Sequence, residues 1–283
     1  AIRGVAGIWG IDPAAVVLNA SHTHYGPGTV THTVAGLGRF DQEFANQVYI
    51  EIANALPRLY QDLQPAKLAY TQADAQIGFN RRMKKDGHVV MSPNPEEHYE
   101  RATPVIAINR DDGQRCLMVS HGCHPTGLGA QAKICSDYPG AMRDRLLASG
   151  KTDVAMFLQG AAGDIKQGAQ VGDQTGWVAD FNSVKTLGGQ LADAVLDVLG
   201  DLTPIEGPLR AISQSVVAPL KGTPSGAAAV DSPENARVHR EMLENWAAVI
   251  EMMHPGQPTG LEYELSSVSL GQALFINMPG EPM

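Results

Sequence analysis

Short apolar runs that end in polar, Gly-rich or Pro-rich turns alternate along this chain with longer amphipathic stretches. That alternation is the pattern of an α/β protein, and the expected architecture is a mixed, layered β-sheet core flanked by helices. A chain of 283 residues is long enough for one large domain or two smaller ones. It reads as one domain over 1–283, with a Gly/Ala/Pro-rich loop near 219–232.

The runs with strand character are Val16–Ala20, Lys67–Ala73, Val105–Asn109, Cys116–His121 and Val154–Gln159, with Asp111-Asp112-Gly113 as a hairpin turn. Leu265–Leu270 and Ala273–Met278 read as two more strands joined by a tight turn at Gly271. Phe44, Val48, Ile52, Leu56 and Leu59 recur at helical spacing between Phe40 and Leu63, and Pro65 closes that stretch. A second helix is expected from about Pro139 to Ala148, with Ser136 or Asp137 as N-cap and Pro139 suited to the first turn. A third places Val184, Leu187, Leu191, Val195 and Leu199 on one face, and a fourth begins after Ser232-Pro233-Glu234 and runs to about Met253.

A formal net charge of −9 argues against nucleic acid or an anionic membrane surface as the main partner. No stretch approaches the roughly 20 apolar residues of a transmembrane segment. Three cysteines, Cys116, Cys123 and Cys135, with no CxxC pair make a poor disulfide framework and read as small buried residues near strands. The chain opens on Ala1-Ile2-Arg3-Gly4 without a secretory leader and closes directly after a strand-like run. It is therefore read as an internal piece of a longer protein, and its compartment stays open.

Three segments share one design, an apolar strand delivering polar groups into a turn. Such strand ends are where sites form in open α/β sheets, because the sheet holds the converging loops rigid. The first is Val16–Ala20 followed by Ser21-His22-Thr23-His24-Tyr25-Gly26-Pro27-Gly28. If the strand continues, His22 and His24 point to the same side, since side chains alternate with a period of two. Two such imidazoles serve as metal ligands, as a ligand beside a proton shuttle, or as strand caps bonded to loop carbonyls.

The second segment runs from Cys116 through His121-Gly122-Cys123-His124-Pro125-Thr126, again delivering two histidines. The third, Ala273 to Pro279-Gly280-Glu281, ends on a carboxylate. Two histidines and a glutamate with water in the open position make a standard catalytic zinc set, while Glu281 also reads as a solvated turn residue. Gly160-Ala161-Ala162-Gly163-Asp164 follows a further strand. It could present backbone N–H groups to a substrate oxygen, orient a histidine through Asp164, or be a plain turn. Phe79-Asn80-Arg81-Arg82 offers an arginine for a substrate oxyanion, although Lys84, Lys85 and Asp86 beside it suggest a surface loop. GxSxG, GxGxxG, P-loop and HExxH motifs are all missing, so serine-nucleophile and nucleotide chemistry have no visible motif.

In their order along the chain, Ser21–Gly28, Phe79-Asn80-Arg81, His124-Pro125-Thr126, Phe157–Asp164 and Pro279-Gly280-Glu281 resemble the N-terminal catalytic domain of the neutral/alkaline non-lysosomal ceramidase family. Its members are zinc amidases that cleave the N-acyl bond of ceramide. The resemblance implies one zinc-hydrolase catalytic domain with Zn2+ held by His22, His124 and Glu281, His121 being the alternative to His124. It also implies His24 as the neighbouring acid/base, Arg81 as a substrate-polarising or structural arginine, and a small-molecule or lipid amide as substrate.

The family's further tyrosine ligand, downstream of the glutamate, lies beyond this chain. One departure stands out: where the family carries a serine implicated in activity, the matching position is Gly160. Metal-based hydrolysis survives that change, whereas ceramide as the substrate does not follow. An esterase or lactonase on the same framework, and a non-catalytic metal-stabilised binding protein, are the competing functions.

Overall fold

A computed structural model describes residues 2–29, 40–219, 260–280 and 282. The chain divides into two compact units. The first comprises the described residues of Ala1–Val16, Pro27–Gln61 and Ile212–Ser266, and the second those of Val17–Gly26, Asp62–Ala211 and Ser267–Met283. The helix expected over 234–253 and nearly all of the loop near 219–232 lie outside the described residues.

In the first unit, α1 (Ile2–Ile8) packs against α2 (Gln42–Gln61). The α2 start is set by Asp41, whose carboxylate accepts the Phe44 N–H at 2.9 Å and satisfies a donor left open at the helix end. Trp9 and Tyr60 add a tilted ring pair at 5.7 Å, and Arg3 pairs with Glu264.

The second unit is built on a five-stranded mixed sheet. Its strands are β1 (Ala66–Asp74), β4 (Ala102–Arg110), β5 (Arg115–His121), β6 (Val154–Gln159) and β9 (Thr203–Ile205), in the order β6-β5-β4-β1-β9. Only the β5–β6 pair is parallel among the registers β1–β4, β1–β9, β4–β5 and β5–β6. A parallel pair needs a crossover, and here it is α3 (Asp137–Ala148), joined on the sheet by α4 (Phe181–Asp197).

One face of the sheet presents Ala73, Val105, Ala107, Leu117, Val119 and Ala155 to Tyr138, Met142, Leu146, Leu187, Leu191 and Val195 of the two helices. Each large aliphatic side chain fully buried there contributes about 1.5–3 kcal/mol. Of the helical spacing read from sequence, Val184, Leu187, Leu191 and Val195 form the buried stripe of α4, which ends at Asp197 before Leu199, and Asp180 caps it through the Ser183 N–H at 2.9 Å.

A second, four-stranded antiparallel sheet holds β2 (Gly78–Lys85), β3 (His88–Asn94), β7 (Ile165–Val171) and β8 (Gln174–Trp177) in the order β3-β2-β7-β8. The segment around Lys84-Lys85-Asp86 is thus a hairpin whose turn is Asp86-Gly87, and Arg81 lies within β2 rather than on a loop. Strands β10 (Leu209–Pro219), β11 (Gly260–Leu270) and β12 (Ala273–Asn277) form a third sheet in that order, with Gly271 at φ 55° in the tight turn between β11 and β12.

One strand expectation fails. Val16–Ala20 forms no strand; it follows a short 3₁₀ turn at Pro13–Ala15 and leaves Val17 and Leu18 exposed. A β-branched run has strand character only where a sheet edge can pair with it. The three cysteines are free, with Cys123 buried and the other two half-buried. No helix among the described residues is long and apolar enough to cross a membrane.

Candidate metal centre

His124 is the buried member of the site. It lies just past the end of β5, where its N–H donates to the Ile165 carbonyl at 3.1 Å and forms an isolated bridge with Lys166 at the start of β7. Its Nδ1 lies 2.5 Å from the Ala162 carbonyl and 3.2 Å from that of Ile165. A carbonyl only accepts, so Nδ1 carries the proton, and in the neutral ring Nε2 holds the lone pair. That arrangement fixes the tautomer and orientation of a metal-ligating imidazole.

The loop 160–164 therefore acts on the histidine through its backbone carbonyls. The Asp164 carboxylate, read from sequence as a group to orient a histidine, instead accepts from Asn80 Nδ2 at 3.3 Å. Two of the loop's N–H groups are engaged as well: Gly160 donates to His121 O at 3.0 Å and Gly163 to Pro282 O at 2.9 Å.

His22 and His24 reach the same point without a strand. His22 has φ 62°, a left-handed conformation uncommon for a side-chain-bearing residue. Side-chain alternation along a strand therefore does not place the two rings. The segment is fastened to the loop after His124 by several bonds. The His24 N–H donates to Pro125 O at 3.4 Å, Thr23 Oγ1 to Cys135 O at 2.8 Å, and Cys135 N–H to Tyr25 O at 3.0 Å. The buried Tyr25 hydroxyl accepts the Leu128 N–H at 2.9 Å and donates to Gly129 O at 3.1 Å. Burial is the first cause that pushes the Tyr25 hydroxyl's pKa up.

The result is a triangle of imidazoles. Ring centroids are 5.1 Å apart for His22 and His24, 4.8 Å for His22 and His124, and 5.7 Å for His24 and His124. His22 Nε2 and His24 Nε2 are 3.5 Å apart, and the candidate ligand atoms of all three residues lie within 4.8 Å of one another. Tetrahedral zinc with ligand bonds of 2.0–2.1 Å sets its nitrogens about 3.3 Å apart, close to the 3.5 Å between His22 Nε2 and His24 Nε2. His124 is buried, His22 half-buried and His24 exposed, which leaves one side open to solvent. This three-histidine group could hold a metal ion.

The other sequence candidates fall elsewhere. His121, three residues before His124, turns into the core, where its Nδ1 pairs with Thr103 Oγ1 at 2.9 Å and its ring meets Tyr138 edge-on at 6.3 Å. Burial lowers its pKa to about 4. Glu281 lies outside the described residues. Arg81 sits at a register shift between Asn80 and Arg82, where a bulge re-aims the side chain. Its Nε and Nη2 both donate to the Gly163 carbonyl, at 3.0 and 2.7 Å, and its N–H donates to Asp164 O at 2.7 Å. Arg81 therefore grips the loop whose neighbouring carbonyls hold His124. Tyr25 and Thr23 carry fastening roles that the motif Ser21–Gly28 contained but that spacing did not reveal.

No family model matches the chain, and no curated protein matches it. Solved structures do. The neutral ceramidase from Pseudomonas aeruginosa superposes over 99% of this chain with a TM-score of 0.68 at 16% identity. The fold is that of the neutral ceramidases. A ceramidase complexed with C2 superposes over 93% of the chain with a TM-score of 0.66, also at 16% identity. The chain spans about half the length of these ceramidases, 52% of the first and 50% of the second. In this neutral-ceramidase fold, Gly160 sits where two backbones cross. A Cβ there would lie 3.1 Å from Gly122 N and from His121 C.

Proposed function

We propose that this chain carries the metal-dependent hydrolytic centre of a ceramidase-like amidase, with an N-acyl amide as its substrate class. The single observation that supports this reading most is the convergence of His22, His24 and His124 to within 4.8 Å, with the Nδ1 of His124 committed to backbone carbonyls. In this reading His22, His124 and Glu281 hold Zn2+. Zinc supplies Lewis acidity, which polarises a carbonyl and lowers the pKa of water from 15.7 towards about 7.

The protein's own groups do the rest. The carbonyls of Ala162 and Ile165 keep the His124 ring aimed. Arg81, through Gly163, holds the loop that presents the first of those carbonyls. His24 is exposed and its Nε2 faces His22. A proton held at that atom is placed to pass to a departing amine, which must leave protonated because an amide anion is a poor leaving group. A second reading makes His24 a third metal donor, favoured by the 3.5 Å separation of its Nε2 from that of His22.

Neither reading needs a hydroxyl at Gly160, so the substrate is proposed as an N-acyl amide without commitment to ceramide. Metal analysis of the purified protein, with hydrolysis of matched N-acyl amides and esters, tests the proposal. His22→Ala and His124→Ala are each expected to lower metal affinity by at least about 100-fold and to abolish amide turnover. His24→Ala keeps the metal and loses amide more than ester turnover if His24 is the relay; it loses the metal if His24 is a donor. Full metal content and turnover after either His22→Ala or His124→Ala would sink the proposal. Metal without hydrolysis of either substrate class would make the protein a metal-stabilised binder.

A further inference from the structure

His124 is the donor whose direction is most tightly held, and the elements holding it extend beyond its own hydrogen bonds. The chain around it is gripped on both flanks by two adjacent residues that open α3. Tyr138 is fully buried, and its hydroxyl donates to the carbonyl of Cys123, the residue before His124, at 2.7 Å. Asp137 is equally buried, and its Oδ2 accepts the N–H of Gly127, three residues after His124, at 2.8 Å.

Its other carboxylate oxygen accepts the Tyr138 N–H at 2.6 Å, which ties the two grips into one unit. A third acceptor, Gln167 Oε1, takes the Thr126 N–H at 3.1 Å between them. The backbone at Asp137 has φ 55°, in the left-handed region that costs a side-chain-bearing residue about 1 kcal/mol or more. A helix can begin without that cost and with an ordinary cap. Here Ser136 occupies the N-cap position with no side-chain cap bond, and one oxygen of the Asp137 carboxylate goes to the loop while the other takes the Tyr138 N–H.

We infer that the Asp137–Tyr138 pair is a positioning device for His124, setting the direction of its Nε2 towards His22 and His24 by clamping the Cys123 carbonyl and the Gly127 N–H. The inference rests on the proposed metal centre for its functional meaning. The hydrogen bonds from Asp137 and Tyr138 to the loop end on the backbone of 123–127, and the pair acts through it.

The test uses Tyr138→Phe, which removes only the hydroxyl. Asp137→Asn accompanies it, since Asn tolerates the left-handed conformation but offers one acceptor oxygen in place of two. Leu146→Val, equally buried and in the same helix, serves as a destabilised control that does not reach the loop. Two readouts are taken on the intact chain: the 15N-edited imidazole spectrum of the metal-free protein, and the affinity and visible spectrum with Co2+ as the probe metal.

Tyr138→Phe and Asp137→Asn are each expected to shift or broaden the His124 Nδ1–H resonance, and to weaken Co2+ binding about 10-fold with an altered visible band. Leu146→Val should lower stability while leaving both readouts at wild-type values. If Tyr138→Phe and Asp137→Asn lose stability but keep the His124 resonance and the Co2+ affinity, the pair is only structural and the inference is overturned. Should Asp137→Asn fail to fold, Tyr138→Phe alone decides. If the wild-type chain binds no metal, the proposed function fails, and the imidazole resonance of the metal-free protein still decides whether the clamp aims His124.

Discussion

The two histidine-bearing turns look alike in sequence and are held in opposite ways. The His121–His124 turn continues a core strand: Leu117, Val119 and His121 are buried along β5, and His124 is framed by β7 and the 160–164 loop. The His22–His24 turn follows an exposed segment with no ladder among the described residues. Its position comes from side-chain bonds such as Asn19 to Gln159 and Thr23 to Cys135. One turn is aimed by the packed sheet, the other by a handful of polar contacts that include the buried Tyr25 hydroxyl. The three-histidine cluster thus joins one residue placed by the sheet to two placed by loop contacts.

The sharpest break in the comparison is steric. A Cβ on Gly122 would meet Ala161 O at 2.2 Å and Ala161 C at 3.2 Å, both backbone atoms, whereas a Cβ on Gly26 meets nothing within 4 Å. Gly122→Ala is expected to cost about 3 kcal/mol or to prevent folding, while Gly26→Ala stays within about 0.5 kcal/mol in urea unfolding. Equal costs for the two would mean that the core turn is no more tightly packed than the surface one.

The next difference is in acid. His121 is buried with its pKa lowered to about 4, against about 6.5 when unfolded. Above pH 6.5 neither state takes the proton. As pH falls from 6.5 to about 4 the unfolded chain takes it first, so the folded state loses up to about 3 kcal/mol before the loss levels off. Unfolding free energies measured from pH 7.5 to 4 should show this decline in the wild type, and His121→Gln should remove that part of it. A decline identical in both proteins would remove His121 as its cause.

The smallest effect is at Asn19, whose side chain accepts the Gln159 N–H at 2.9 Å and donates to Gln159 O at 3.3 Å. Asn19→Ala should cost about 1 kcal/mol, yet loosen the His22–His24 segment enough that metal affinity falls by a larger factor than the change in stability explains. Unchanged affinity would show that Thr23 and Tyr25 suffice to hold the segment.

Much of the frame was legible because periodicity reports burial directly. The stripe Val184, Leu187, Leu191 and Val195 is the buried side of α4, and the apolar run of β5 is a core strand. The polar strands were not legible: Gly78–Lys85 carries no clean alternation, and β2 exists because β3 and β7 pair with it on either side. Val16–Ala20 has the composition of a buried strand and none of its pairing, since composition says what a segment tolerates and not whether an edge is available.

For the site, the sequence by itself picked out the candidates: His22, His124 and Glu281 as expected ligands and His24 as the expected acid/base. Imidazoles in Gly- and Pro-rich turns are chemistry that a metal could take up whatever the fold does with them. Which histidines meet was decided only by the tertiary structure. His121 and His124 are separated by two residues, but β5 ends at His121, so one enters the core and the other faces the cluster. His22 and His24 join His124 from about a hundred residues away because Thr23 and Tyr25 bond to the 129–135 loop and His22 takes a left-handed turn. Local spacing reports which side of an element a residue occupies; long-range hydrogen bonds and packing decide which elements come together, and neither is written in the spacing.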